Sequence, residues 1–194
     1  MSVAVDSFWA ERRARHPRLR QAVVEDARVA CRYRGEPHEL ASGLEAARQV
    51  ARLAWVSDAF LGLALYRAKA RLQALGVPVL PRLAHRLAMA TSQVCIGDPV
   101  VVEPGVYVPH GQVVVDGVVE IAGGAVLFPF VTIGLRAGHL KGATVERDVT
   151  IGTGAKVIGE VRIGAGAHIG ANAVVVDDVE PETTVVGAPA RLVR

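Results

Sequence analysis

The chain has 194 residues, 51% of them apolar and only 5% aromatic, with a formal net charge of +3. That length holds one or two domains with a real core, and so few large rings suit an interior of Val, Ile and Ala better than a sandwich built on aromatics. No apolar run approaches the roughly 20 residues of a spanning helix, and residues 1–10 lack the basic start and apolar centre of a secretion signal, so a soluble cytoplasmic protein with no membrane partner is expected.

The small net charge hides an asymmetry. Residues 1–94 carry 15 Lys+Arg against 8 Asp+Glu, and residues 95–194 carry 7 against 11, giving +7 and −4. A basic half can serve nucleic acid. Here the arginines alternate with alanines and leucines at helical spacing, without interleaved aromatics. They read as a solvated helix face or as docking onto acidic neighbours, and no nucleic-acid partner is expected. Cys31 and Cys95 are far apart and form no metal-like pair, so reduced thiols are expected.

Residues 7–16 read as a short helix stopped by Pro17, and residues 18–33 as a second, with Ala22, Val23, Ala27 and Ala30 on one face. Gly35 and Pro37 end it. Ser42 and Glu45 have capping-box spacing, which starts a third helix running to about Val56. Ser57 opens a fourth through Leu61, Leu65 and Leu72 to Gly76, a C-terminal glycine stop. Pro81 fits the first turn of a fifth, which ends near Met89. Residues 1–93 are therefore expected to form an α-helical N-terminal domain, packed across subunits or against the C-terminal half of the chain.

From Val94 the composition turns to Val, Gly and Ile. An aliphatic residue recurs at 151, 157, 163, 169 and 175, and a small residue follows each of the first four by four places, at 155, 161, 167 and 173. A period of six matches neither a helix nor a flat strand. It suits short straight edges joined by corners, three to a turn, with the aliphatic side chain pointing inward. The same phase holds at Val115, Ile121, Leu127, Ile133 and Val145, and an earlier phase at Ile96, Val102 and Val108. The two breaks are a one-residue slip near His110 and residues 135–144. The fold class expected is α+β: a helical domain, then a left-handed parallel β-helix with a C-terminal tail over residues 94–194, wound against the usual right-handed crossover.

Residues 66–87, residues 96–105, His110, Val131-Thr-Ile-Gly134, Ile151-Gly-Thr-Gly-Ala-Lys-Val-Ile-Gly159 and Gly187-Ala-Pro-Ala-Arg191 together resemble the serine acetyltransferases, a branch of the hexapeptide-repeat acyltransferases. The resemblance covers roughly residues 60–194. It implies transfer of an acetyl group from acetyl-CoA, as a substrate, to a small hydroxyl acceptor. It also implies a homotrimer, or two trimers joined through the helices, with CoA in the groove between prisms. His110 matches the family's general base, a role that needs a pKa near working pH. By the same resemblance Thr153, Ala155 and Ala171 line the pantetheine arm. Arg191 and Arg194 meet the phosphates, where a guanidinium forms paired hydrogen bonds. His139 and Asp98 are placed at the acceptor, and Gly134 is placed near the developing oxyanion, where a backbone amide commonly serves.

The chain departs from the family pattern where Cys95 replaces the aspartate that orients the histidine, where Pro109 replaces the preceding acid, and where Lys141 and Gly142 replace an Arg-His pair. These departures leave the acceptor open among serine, other amino acids, sugars and amines. They also keep a non-catalytic CoA-binding or partner-binding relative in view. A zinc site on the same prism would need three histidines, two of them close in sequence. His110, His139 and His168 offer no close pair, so no metal is expected.

Overall fold

A computed structural model describes residues 2–40 and 42–193. Five helices come first: α1 (Ser2–Arg15), α2 (Leu19–Tyr33), α3 (Gly43–Val56), α4 (Asp58–Ala74) and α5 (Leu80–Ser92). Their ends follow local chemistry. The Ser42 hydroxyl accepts the Glu45 amide at 3.1 Å, and Ser57 accepts the Phe60 amide at 3.4 Å, each satisfying a first-turn donor. Gly76 takes φ 67 just past α4, and Pro81 sits in the first turn of α5. Helix α1 begins at Ser2 rather than near Ser7, since residues 2–6 contain no helix breaker.

From Val94 onward the chain winds as a three-sided column of parallel strands. The first face stacks Val94–Ile96, Val113–Val115, Thr132–Gly134, Lys156–Ile158 and Val174–Val175. The second stacks Val101–Val102, Val118–Ile121, Lys141–Val145 and Arg162–Ile163. The third runs from the Tyr107 bridge through Val126–Leu127, Thr150–Ile151 and His168–Ile169 to Thr184–Val186. Partners lie 18 residues apart in the regular coils, as with Thr150 beside His168 and Lys156 beside Val174. The interval is 19 between Val94 and Val113, which is the slip near His110. It is 24 between Thr132 and Lys156, so six extra residues leave the column after Gly134. This excursion is shorter than the break expected over residues 135–144. Lys141–Val145 already pairs with Val118–Ile121, because Ala143 and Val145 are buried and draw the chain back to the second face.

The hexad phase has its physical counterpart inside. Ile151, Val157, Ile163, Ile169 and Val175 are at most 2% exposed, and Ala155, Ala167 and Ala173 are fully buried beside them. Burying one such aliphatic chain contributes about 1.5–3 kcal/mol, and each coil supplies three.

The helical half caps the open end of the column. The Arg12 guanidinium donates to the carbonyls of Pro99 and Val119, and Lys69 Nζ to that of Ile96. The Tyr66 hydroxyl donates to Val100 at 2.8 Å. Arg67 donates to the carbonyls of Val102 and Glu103 and holds Asp26 through two bonds of 3.0 and 3.1 Å. Asp26 in turn accepts the Gly105 amide at 2.8 Å. Buried carbonyls need donors; these side chains supply them to the first coil, which has no coil above it, and Arg12 also reaches Val119 on the second. The expectation of a solvated basic face is thus corrected in part: Arg12, Arg67 and Lys69 are buried. Arg15, at the rim, docks with Arg12 on Glu120. Ala59, Leu63 and Tyr66 of α4 join the same apolar core as the column. The class is α+β, a helical region followed by a left-handed parallel β-helix.

Candidate active site

The corner that leads from the third face to the first turns through a left-handed residue in successive coils: Gln112 (φ 66), Phe130 (φ 63), Gly154 (φ 73) and Asn172 (φ 57). Glycine and asparagine accept that conformation readily, whereas phenylalanine does so at a cost. Backbone bonds stack these turns. Phe130 N donates to Gln112 O at 2.9 Å, Gly154 N to Pro129 O at 2.9 Å and Asn172 N to Thr153 O at 2.8 Å. Lys156 Nζ bridges two levels, donating to the carbonyls of Phe130 and Gly154 at 2.8 Å each. His110, Thr153 and Ala171 therefore stand on one exposed ridge, in coil order. Among the described residues no carboxylate hydrogen-bonds the His110 ring. Cys95, at the family's aspartate position, lies on the first face beside Val114.

Asp98, Gly134 and His139 stand on the other edge of the first face. Gly134 ends the strand before the six-residue excursion, and its carbonyl accepts the Gly159 amide at 2.9 Å. His139 is exposed within that excursion, its amide on Arg136 O at 3.0 Å, while the Arg136 guanidinium holds Val176 O at 2.7 Å. Asp98 turns the same corner on the first coil, 2.9 Å from Lys69 Nζ. Burial pushes the Asp98 carboxyl up, but the hydrogen bond and charge of Lys69 outweigh this and hold it below the usual carboxylate range. A face about five residues wide spans roughly 16 Å at 3.3 Å per residue. One chain therefore does not bring His110 together with Asp98, Gly134 and His139.

Of the remaining expectations, Ala155 is fully buried, with its amide on Gly152 O and its carbonyl on Thr132 N, so its methyl faces the interior and not a ligand. Arg191 pairs in register with Val186 where the ridge ends, its guanidinium 3.5 Å from Asp177. Arg194 lies outside the described residues. A separate cleft of about 680 Å³ opens between α4, α5 and the first two coils, lined by Gln73, Arg82, His85, Cys95, Asp98 and Asp116. It borders the Asp98 side of the first face rather than the His110 ridge.

Sequence reasoning passed over Phe128 and Phe130. They are 37% and 54% exposed. Tyr107 pairs with Val126, and carrying that register two residues on sets Phe128 beside Pro109, next to His110. The signal was present: an aromatic pair at a corner where the later coils place only Gly, Thr, Ala or Asn.

Comparison with known proteins agrees with this architecture. Residues 142–177 match the family described as bacterial transferase hexapeptide (six repeats). The serine acetyltransferase of Synechococcus elongatus is 36% identical over 121 residues, covering 60% of this chain and 49% of the relative. The chain spans about half the length of the curated relatives it matches. The soybean serine acetyltransferase apoenzyme superposes with a TM-score of 0.75 at 29% identity, over 90% of this chain and 69% of that one. A serine acetyltransferase in complex with CoA gives 0.71 at 25% identity, over 88% and 68%.

Proposed function

We propose that this chain, a serine acetyltransferase-like hexapeptide-repeat protein, transfers an acetyl group from acetyl-CoA to the hydroxyl of a small acceptor, with His110 as general base. The observation that carries the reading is the ridge of His110, Thr153 and Ala171 on one corner, with Arg191 at its far end. The matched relatives are serine acetyltransferases, and one similar structure holds CoA. Laid along the ridge, the pantetheine arm passes Ala171 and Thr153, its phosphates meet Arg191, and its thioester comes to His110.

The chemistry then balances with one imidazole. The His110 ring takes the proton of the acceptor hydroxyl as that oxygen attacks the thioester carbonyl. The tetrahedral intermediate collapses, the C–S bond breaks, and the imidazolium returns the proton to the departing CoA thiolate. General-base assistance of this kind contributes about 10²–10⁴-fold.

The split between the two corners supports a homotrimer. If the first face looks toward a threefold axis, each groove between copies is bounded by the His110 ridge of one copy and the opposite corner of the next. Asp98, Gly134 and His139 would then complete the site from the neighbouring chain, which is a closed cyclic assembly. The work would be done without a resident metal.

The test is turnover of acetyl-CoA with L-serine and a panel of amino-acid, sugar and amine acceptors, comparing His110→Ala. A loss of at least 100-fold in kcat/KM with unchanged circular dichroism and CoA binding supports the role; full activity overturns it. A second reading, a CoA-binding protein without turnover, is favoured by Cys95 standing where the family aspartate would orient the base. Tight CoA binding with no consumption of acetyl-CoA on any acceptor would select it.

A further inference from the structure

The coil between the base and the pantetheine ridge carries two aromatic rings, and the geometry points to Phe128 and Phe130 as an apolar wall for the acyl group, one that takes acetyl and holds longer chains more tightly. This rests on the proposed donor site and sharpens it. Along the ridge the order is His110, then residues 128–130, then Thr153, then Ala171. A thioester whose arm follows Ala171 and Thr153 and whose carbonyl meets His110 carries its sulfur past the coil that lies between them, and an acyl chain that folds back along the arm lies against that coil. That coil presents Phe128 and Phe130 at 37% and 54% exposure.

Phe130 is held in place against local preference. Its φ of 63 is a left-handed value that L side chains avoid. It is kept there by Phe130 N on Gln112 O at 2.9 Å and by Lys156 Nζ on its carbonyl at 2.8 Å. Every coil turns this corner through a left-handed residue, but here that residue is a bulky ring with half its surface in water, and bulky outliers of this kind gather at ligand clamps. An alkyl chain laid on the rings would bury apolar surface on both partners, and each methylene so buried multiplies affinity by roughly fourfold.

The test uses thioether analogues, which need no turnover: CoA, S-ethyl-CoA and S-butyl-CoA, titrated calorimetrically into the full chain and into Phe130→Asn. Asparagine tolerates the left-handed turn, so the variant keeps the corner. S-butyl-CoA should bind the natural protein at least fivefold more tightly than S-ethyl-CoA, and Phe130→Asn should abolish that preference. A smaller preference, or one that survives in the variant, overturns the wall while leaving the donor site standing. Failure of CoA itself to bind overturns the donor site and the wall together. Sedimentation is run alongside; dissociation of the assembly in Phe130→Asn would show the ring to be a contact between copies and would also overturn the proposal.

Discussion

His16 offers a sharp test of how the helices seat on the column. Its ring lies 6.2 Å from that of Tyr66, among the cations that cap the first coil. Burial first, then the charges of Arg67, Arg12 and Lys69, outweigh the opposing pull of Asp98 and lower its pKa from 6.5 to about 4. The folded value lies below the unfolded one, so the unfolded chain binds the proton more readily. The contribution is intact above the unfolded pKa of 6.5 and is lost as pH falls through the folded value of about 4. At 1.36 kcal/mol per unit this is at most about 2 kcal/mol between pH 7.5 and pH 5, and about 1 kcal/mol once solvent screening of the partly exposed ring is allowed for. Replacing His16 by Gln removes the titrating ring. Urea unfolding of both proteins at pH 7.5 and at pH 5 should show the natural chain losing about 1 kcal/mol more than His16→Gln over that interval. Parallel losses in the two proteins would refute the placement of the ring beside the buried cations.

The same geometry makes two further outcomes testable. Arg67→Met should destabilise the chain by about 3–5 kcal/mol in urea titration, because it strands the Asp26 carboxylate and leaves the carbonyls of Val102 and Glu103 without their donor; a loss below about 1 kcal/mol would show that the cap is dispensable. Excising residues 135–140 restores an 18-residue coil between Thr132 and Lys156, where the interval is now 24. The shortened chain should fold and bind CoA, since neither the interior phase nor the ridge is touched. It should lose at least 100-fold in acceptor kcat/KM, and retained turnover would remove the excursion and His139 from the site.

Much of the fold was legible because its signal is local and periodic. The aliphatic residues at 151, 157, 163, 169 and 175 and the small residues between them had to face inward, and they do. The caps at Ser42 and Ser57 were equally plain, since each is settled by a residue three places away. The basic residues were harder. Arg12, Arg67 and Lys69 sit at helical spacing like any solvated cation, and their burial depends on carbonyls many residues away that end one side of a solenoid. The partition of the candidate residues between corners was not legible. Spacing alone does not tell which corner of a triangular coil a residue occupies. Only the registers show that His110, Thr153 and Ala171 share one edge while Asp98, Gly134 and His139 share another.

The most direct measurement is a structure of the assembled protein with CoA bound. The pantetheine arm should lie along Thr153 and Ala171, with the thiol within contact of the His110 ring and a neighbouring chain's His139 across the groove. CoA seated in the cleft beneath α5, or a His110 ring far from the thiol and from any second copy, would contradict that placement.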